Sequence, residues 1–452
     1  MKRFTKLLSA ALCAALCVIS CAAGFAGCTK IQPKPYEKGE YEKEISELSE
    51  VKGETLVAKK PLVKWNGRYE YVKEASAKID GTAGGAVMLY NTATGFTVTF
   101  KGTSLTVTFL HSASDIYYNF AVDDETLPNP AAGRRFYLPD GETVSRVTLV
   151  SGLKDGEHTV TCLKTDEAAD AYTAVSAFET DGKFAYRNVA EDNDTLKFMF
   201  VCASGGSGHG SLYYSETATA GRVGRTRKNS SSLHSFNYLT ARMFDADVQF
   251  VAQSGWGVRY PKSMYEVLDY SGITPGNTVS EAKTTALWDR TNYIPDVIIL
   301  NIGGNDTTAS GFEKEIYQQY CGLTVKKLHE NYPNATIIWT HTGSKAGTYA
   351  AQAFAADAEL SEADFLHECV IPQKGYGVTG RGTYGANDHN SIKTHIDTAA
   401  VLSAYLKKLG YYPVRENVTF ESQKSFLEFD AGVTGETPYA GTEELYCYPL
   451  KG

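Results

Sequence analysis

The feature that most constrains this chain is a change of hydrophobic period near residue 190. Before it, short runs alternate apolar and polar residues: Ala86 to Tyr90, Phe96 to Phe100, Leu105 to Phe109, Val147 to Val150 and His158 to Leu163, with Gly or Asn turns separating the first three. A period of two buries one face of each strand, and many short strands without an amphipathic helix between them predict a sandwich. From about residue 194, apolar runs alternate with helical patterns. Leu196–Val201, Val248–Ala252, Val297–Leu300 and Thr336–Trp339 read as strands, and Ser232–Met243, Phe312–Tyr332 and His395–Leu409 as helices. Strands apolar on both faces need cover on both faces, which implies a parallel sheet between helices. The predicted fold is multidomain: an all-β, jelly-roll-like sandwich over 59–190, then an α/β domain with a parallel sheet over 191–412.

The length of 452 residues suits two or three cores. Residues 1–27 combine a basic start at Lys2, Arg3 and Lys6 with the uncharged run Leu7–Ala26, the pattern of an export signal; the rival is a membrane-spanning anchor. Ala26-Gly27-Cys28 resembles the lipobox of bacterial lipoproteins, with Cys28 acylated; Val18-Ile19-Ser20-Cys21 fits the same pattern, so Cys21 is the alternative. Acyl chains there would hold the protein, outside the cytoplasm, on the bacterial cell membrane. Residues 28–58 read as a flexible tether, and 413–452 as an extension whose role the sequence does not state. Arg222–Lys228 reads as a solvated basic loop.

The formal charge of −8 becomes −11 once the three basic residues of the leader are removed, which excludes a nucleic-acid partner and suits a neutral substrate. Cys162, Cys202, Cys321, Cys369 and Cys447 are scattered and odd in number, so neither a disulfide framework nor a zinc site is expected.

Loops leaving the carboxyl ends of parallel strands form the ligand crevice. Four small, polar segments fall there: Ala203–Gly208, Gln253–Gly257, Asn301–Asp306, and Gly385–Ser391 ahead of the closing helix. Acyl transfer by serine needs a hydroxyl, a base for its proton, and donors aimed at the developing oxyanion. The four segments hold one of each. They resemble, in order, the blocks of the SGNH hydrolase superfamily: Ser204 with Gly208, Ser254-Gly255, Gly303-Gly304-Asn305-Asp306, and His389 with Ser391. Cys202 removes the first glycine of the α/β-hydrolase elbow, so that fold is not implied.

A second likeness spans both domains. Gly67-Arg68, the run His158–Ala168 with its Lys164-Thr165-Asp166-Glu167-Ala168, and the spacers Leu239–Arg242, Trp288-Asp289, Pro295–Val297 and Tyr332–Ala335 look like carbohydrate esterase family 2. Those are deacetylases of plant polysaccharides with a sandwich ahead of the SGNH domain. The resemblance implies Ser204 as nucleophile, His389 as general base, and an oxyanion hole from the backbone of Ser204 and Gly255 and the amide of Asn305. It implies an acetylated carbohydrate substrate such as xylan or mannan, and neither metal nor organic cofactor. Two departures stand out: Ala203 and Ala386 occupy positions where such enzymes carry aspartate. The backbone carbonyl of Asn387, or the side chain of Asp388, is then left to orient His389.

Ser207 is a rival nucleophile, His209 reads as a solvated loop histidine with a sugar contact as the alternative, and His395 as a packing residue. Trp256 either stacks on a sugar as a substrate contact or packs into the core. Two other functions compete: a glycan-binding lipoprotein that lost the chemistry, and a solute-binding lipoprotein built from two α/β lobes.

Overall fold

In the computed structural model, residues 44–112, 115–139, 141–187, 195–371 and 383–430 are described. The leader, Cys21, Cys28, most of the tether, Cys447 and the end of the extension lie outside them. None of the described helices is long and apolar enough to cross a membrane.

The alternating runs of the first half become two antiparallel sheets packed face to face. One runs Glu70–Val72, Ala86–Met88, Thr173–Thr180, Leu105–His111, Val144–Val150. The other runs Lys183–Ala185, Gly95–Gly102, Gly156–Lys164, Ile116–Val122, Arg135–Leu138. Period-two residues meet between them: Phe96, Val98, Phe100, Val160 and Cys162 face Val107, Phe109, Val175 and Phe178. The expected tether ends early. Glu50–Lys52 pairs with the strand Thr173–Thr180, and Gly53–Val57 forms a 3-10 turn. The segment is charged and aperiodic, but its isolated Val51 and Leu56 are both buried at the sandwich edge, and burial rather than periodicity orders it.

The second half folds into a five-stranded parallel sheet ordered Asp247–Ala252, Lys197–Cys202, Val297–Asn301, Thr336–His341, Leu366–Val370. An all-β first half followed by one such sheet excludes two α/β lobes. Alternate residues serve opposite cores: Phe198 and Phe200 pack with Phe236–Met243 and Ile392–Lys408, while Met199 and Val201 pack with Lys314–Asn331 and Lys345–Ala356. The first strand has neighbours on both sides, because the chain goes one way to Asp247–Ala252 and then returns past it to Val297–Asn301. Loops diverge at such a switch point and leave a crevice. Register aligns them, since Cys202 pairs with both Ala252 and Asn301 and three loops therefore leave the sheet at one level.

Two seams join the domains. At the first, Lys64 Nζ lies 2.7 Å from Asp247 Oδ1. Beside it the buried Arg68 donates from Nε to Gln249 Oε1 (3.1 Å) and from Nη1 to the carbonyls of Leu268 (2.6 Å) and Tyr270 (2.7 Å). Gly67 precedes it at φ 77°, with the Thr94 methyl 2.7 Å from where a Cβ would sit, which accounts for the Gly-Arg pair. At the second seam the basic loop is exposed at Arg222 and Lys228, as expected of a solvated loop, but is also fastened by ion pairs. Arg225 forks onto Asp170, Arg227 donates to the Asp170 carbonyl (2.8 Å), Arg222 reaches Asp430 (2.6 Å) and Lys228 pairs with Glu428 (2.8 Å). The carboxylates it meets are distant in sequence, so a local charge run could not foretell them. The extension contributes Glu428–Phe429 as a strand parallel to Tyr213–Tyr214.

Candidate active site

Ser204 opens a one-turn helix, Ser204–Ser207, directly after the first strand of the parallel sheet. The turn is tight: Gly206 and Ser207 both donate back to the Ala203 carbonyl (3.0 and 3.1 Å), and Ala203 N donates to Asn301 O at 3.1 Å. The N–H groups of a first helical turn have no partner within their helix, so the Ser204 N–H is left for something outside it.

Asn305 comes from the loop after Val297–Asn301. Its Nδ2 donates one hydrogen to the Trp256 carbonyl at 2.7 Å, which fixes the amide and leaves its second N–H. Asp306, fully buried, accepts from the N–H groups of Val258 (2.8 Å), Arg259 (2.8 Å) and Tyr260 (2.7 Å). Burial raises its carboxyl above the ordinary value, and those donors offset part of that rise. The second acid of the Gly-x-Asn-Asp block therefore ties down the neighbouring loop.

His389 follows two left-handed residues, Asn387 (φ 53°) and Asp388 (φ 55°). The bend lets its Nδ1 meet the Asn387 carbonyl at 2.9 Å. A carbonyl only accepts, so Nδ1 carries the hydrogen and Nε2 of the neutral ring is left as the base. Of the two orienting groups the sequence offers, the carbonyl is the one in place. Asp388 turns away to accept from the N–H groups of Thr219 and Ala220. Ala386, where an aspartate would stand, is fully buried against Gly210.

Ser204, Asn305 and His389 line one cleft of about 250 Å³. Its lining also holds Asn301, from a segment the sequence marked out, and Thr340, His341, Thr342 and Ser344, which it did not. His341 accepts at Nδ1 from Gly343 N (3.0 Å), and its Nε2 is 3.6 Å from Glu368 Oε2.

Gly255 is exposed on the next loop at φ 78°, outside the residues lining this cleft. Trp256 is not a sugar platform: it is fully buried, and its indole N–H donates to Asn277 Oδ1 at 2.6 Å. Its neighbour Gly255 takes the exposed position, so the ring turns into the core. Ser207 is buried and donates to Glu167 Oε1 (3.1 Å). His395 packs inside the closing helix, where burial first, and then the nearby His389, drive its imidazole down to about 3. Among the described residues no group of three or more His, Cys, Asp or Glu is arranged to hold a metal ion.

His209 departs most from its expected role. Only 13% of its side chain is exposed. Its Nδ1 lies 3.0 Å from Glu167 Oε1 and 2.8 Å from Ser254 Oγ, and its ring rests on that of His389 with centroids 4.2 Å apart. Glu167 belongs to the sandwich half of the chain, and nothing in its local sequence marks it as belonging to a site.

Comparison with known proteins identifies the first half. Residues 78–186 match a family model described as carbohydrate esterase 2 N-terminal. That stretch is similar to the N-terminal domain of carbohydrate esterase family 2. Over 368 residues it is 26% identical to the cellulase/esterase CelE of Acetivibrio thermocellus, covering 78% of this chain and 40% of that relative's length. Over 322 residues it is 25% identical to an acetylxylan esterase / glucomannan deacetylase of Cellvibrio japonicus, covering 67% of this chain and 82% of the relative. Among solved structures, a family two carbohydrate esterase from Clostridium thermocellum in complex with cellohexaose superposes with a TM-score of 0.61 at 24% identity, over 77% of this chain and 99% of that one. An acetyl xylan esterase from the rumen bacterium Butyrivibrio proteoclasticus gives 0.62 at 18% identity, over 81% and 100%. The sandwich followed by an α/β domain with a parallel sheet is thus the fold shared with these carbohydrate esterase structures.

Proposed function

We propose that this protein is a serine esterase that removes O-acetyl groups from a polysaccharide or oligosaccharide of the xylan or mannan kind. The observation that carries the reading is the shared cleft: one hydroxyl, one carboxamide and one imidazole around a single small volume at the switch point of the sheet. Ser204 Oγ attacks the acetyl carbonyl while His389 Nε2 takes its proton. The oxyanion is met by the N–H group of Ser204 and by the second N–H of the Asn305 amide, while Gly255, outside the cleft lining, would have to approach for its N–H to join them. His389 returns the proton to the departing sugar hydroxyl, and water then releases acetate by the same path in reverse. The relatives described as acetylxylan esterases support the substrate class. Presentation on the cell surface through acylated Cys28 belongs to the same proposal.

Purified protein should release 4-nitrophenol from 4-nitrophenyl acetate and acetate from acetylated xylan. Ser204→Ala should abolish both, and an alanine variant that turned over at the parent rate would sink the reading. Asn305→Ala should lower kcat by about 10²–10³ with little change in KM. The buried Ala386, standing where such enzymes carry aspartate, favours a second reading in which the cleft only binds glycans. Affinity for acetylated xylan without any Ser204-dependent release of acetate would select it.

A further inference from the structure

Resting on the esterase reading, we propose that Glu167 and His209 form a positioning unit for His389, so that the sandwich domain supplies a carboxylate in place of the aspartate that Ala386 replaces. Glu167 is buried and gathers five donors: Ser207 Oγ (3.1 Å), His209 Nδ1 (3.0 Å), Gln253 Nε2 (2.9 Å), Ser254 N (3.1 Å) and Ser254 Oγ. Four of them come from the two loops flanking the nucleophile, and His209 from the turn just past it.

Serine, histidine and carboxylate within reach of one another suggest a second triad, with Ser254 as its nucleophile. The geometry rejects this. Ser254 Oγ and Glu167 both meet Nδ1 of His209, so the ring does not stand between them and no proton passes from one nitrogen to the other. A carboxylate only accepts, so His209 Nδ1 donates. Its Nε2 is buried, with no hydrogen-bond partner among the described residues. What the ring does touch is His389: centroids 4.2 Å apart, planes at 40°. The His389 imidazole is thereby held at Nδ1 by the Asn387 carbonyl and on one face by His209.

The charge of Glu167 reaches His389 through this contact. Other titratable groups surround the pair: Arg225 behind Glu167, His395 on the closing helix, His341 across the cleft, and Asp388 in the same loop, its carboxylate occupied by backbone donors. With His209 in the same protonation state in both proteins, replacing Glu167 by glutamine makes the surroundings one charge more positive. That disfavours protonated His389, so the acid limb of kcat/KM should move to lower pH.

The test uses the full chain and the pH dependence of 4-nitrophenyl acetate hydrolysis. Glu167→Gln should shift the acid limb down by roughly half a pH unit. His209→Phe keeps a ring against His389 but loses the link to Glu167. It should lower kcat roughly tenfold with KM within about twofold, as expected for a group acting only through the base. A residue needed only for folding would lower the melting temperature and leave the limb in place. Should Glu167→Gln not fold, His209→Phe, at a partly exposed site, decides alone. An unmoved acid limb in the first variant, or an unchanged kcat in the second, overturns the proposal. If the parent chain shows no Ser204-dependent turnover, the esterase reading falls separately. The proposal is then judged by NMR titration of the His389 imidazole in the parent and in Glu167→Gln: a lower midpoint in the variant upholds it, and equal midpoints refute it.

Discussion

Arg68 and Glu167 are both sandwich side chains that cross into the α/β domain, and both are buried, yet they meet different regions of it. Arg68 binds near the start of the edge strand and on a distant loop, through Gln249 and the carbonyls of Leu268 and Tyr270. Glu167 binds at the carboxyl ends of the strands, among the loops that carry Ser204 and Ser254. The first contact fixes how the domains sit. The second fixes the shape of loops that do chemistry. Equal burial thus carries unequal meaning, and what decides it is which end of a parallel sheet the partner occupies.

The largest effect expected in stability is at Arg68. Arg68→Met leaves one amide oxygen and two carbonyls buried without their donor, and should cost about 3–4 kcal/mol in urea unfolding. Its kcat, per folded molecule, should stay within about twofold of the parent. A fall in kcat comparable to that of Glu167 variants would erase the distinction between the seams.

Acid should act on the other seam. Burial alone would raise the Glu167 carboxyl, but the His209 hydrogen bond and the charges of Arg225 and His209 outweigh it and hold the group near about 2, from an ordinary value of 4.5. A lowered carboxylate contributes stability that is complete above its unfolded value and is lost as pH falls through its folded one. The parent should therefore lose about 3 kcal/mol between about pH 4.5 and pH 2 from this group. Glu167→Gln should flatten that stretch of the profile, and Arg68→Met should not.

The smallest effect is expected at Lys64. Its ion pair with Asp247 is about one-fifth exposed on each side, so Lys64→Ala should cost about 1 kcal/mol or less, less still at high salt. A larger loss would mean that the first seam depends on the pair as much as on Arg68.

The parallel sheet was legible where its strands were apolar on both faces, as in Val297–Asn301. Two elements escaped. Lys345–Ala356 is rich in alanine, and its buried face is made of Ala346, Gly347, Ala350 and Phe354, so Phe354 is its one large buried side chain and the stripe is easily passed over. Leu366–Val370 is an edge strand carrying His367 and Glu368, and only Cys369 is fully buried. Ser204, Asn305 and His389 could be read because each sits in a short block whose residue types match a chemical need. Glu167 and His209 could not. They stand 42 residues apart on different domains, and their meeting depends on how those domains dock. Glu167 was visible only as one letter of the Lys164–Ala168 signature, with no sign of where it pointed. Trp256 was left between two readings for a similar reason: an aromatic beside a glycine does not announce its direction, and the Asn277 partner that turns it inward lies in another loop.

The reach of Glu167 bears on how such proteins are inherited. A recombination event in the stretch between residues 187 and 195 would separate the two textures of sequence but would also strand an anion's worth of donors on one fragment. A new N-terminal partner would have to bring its own acid to that spot, or the donors at Ser207, His209, Gln253 and Ser254 would have to change with it. Lineages should accordingly exchange the two halves as a single cassette, and loops far from the seam far more freely.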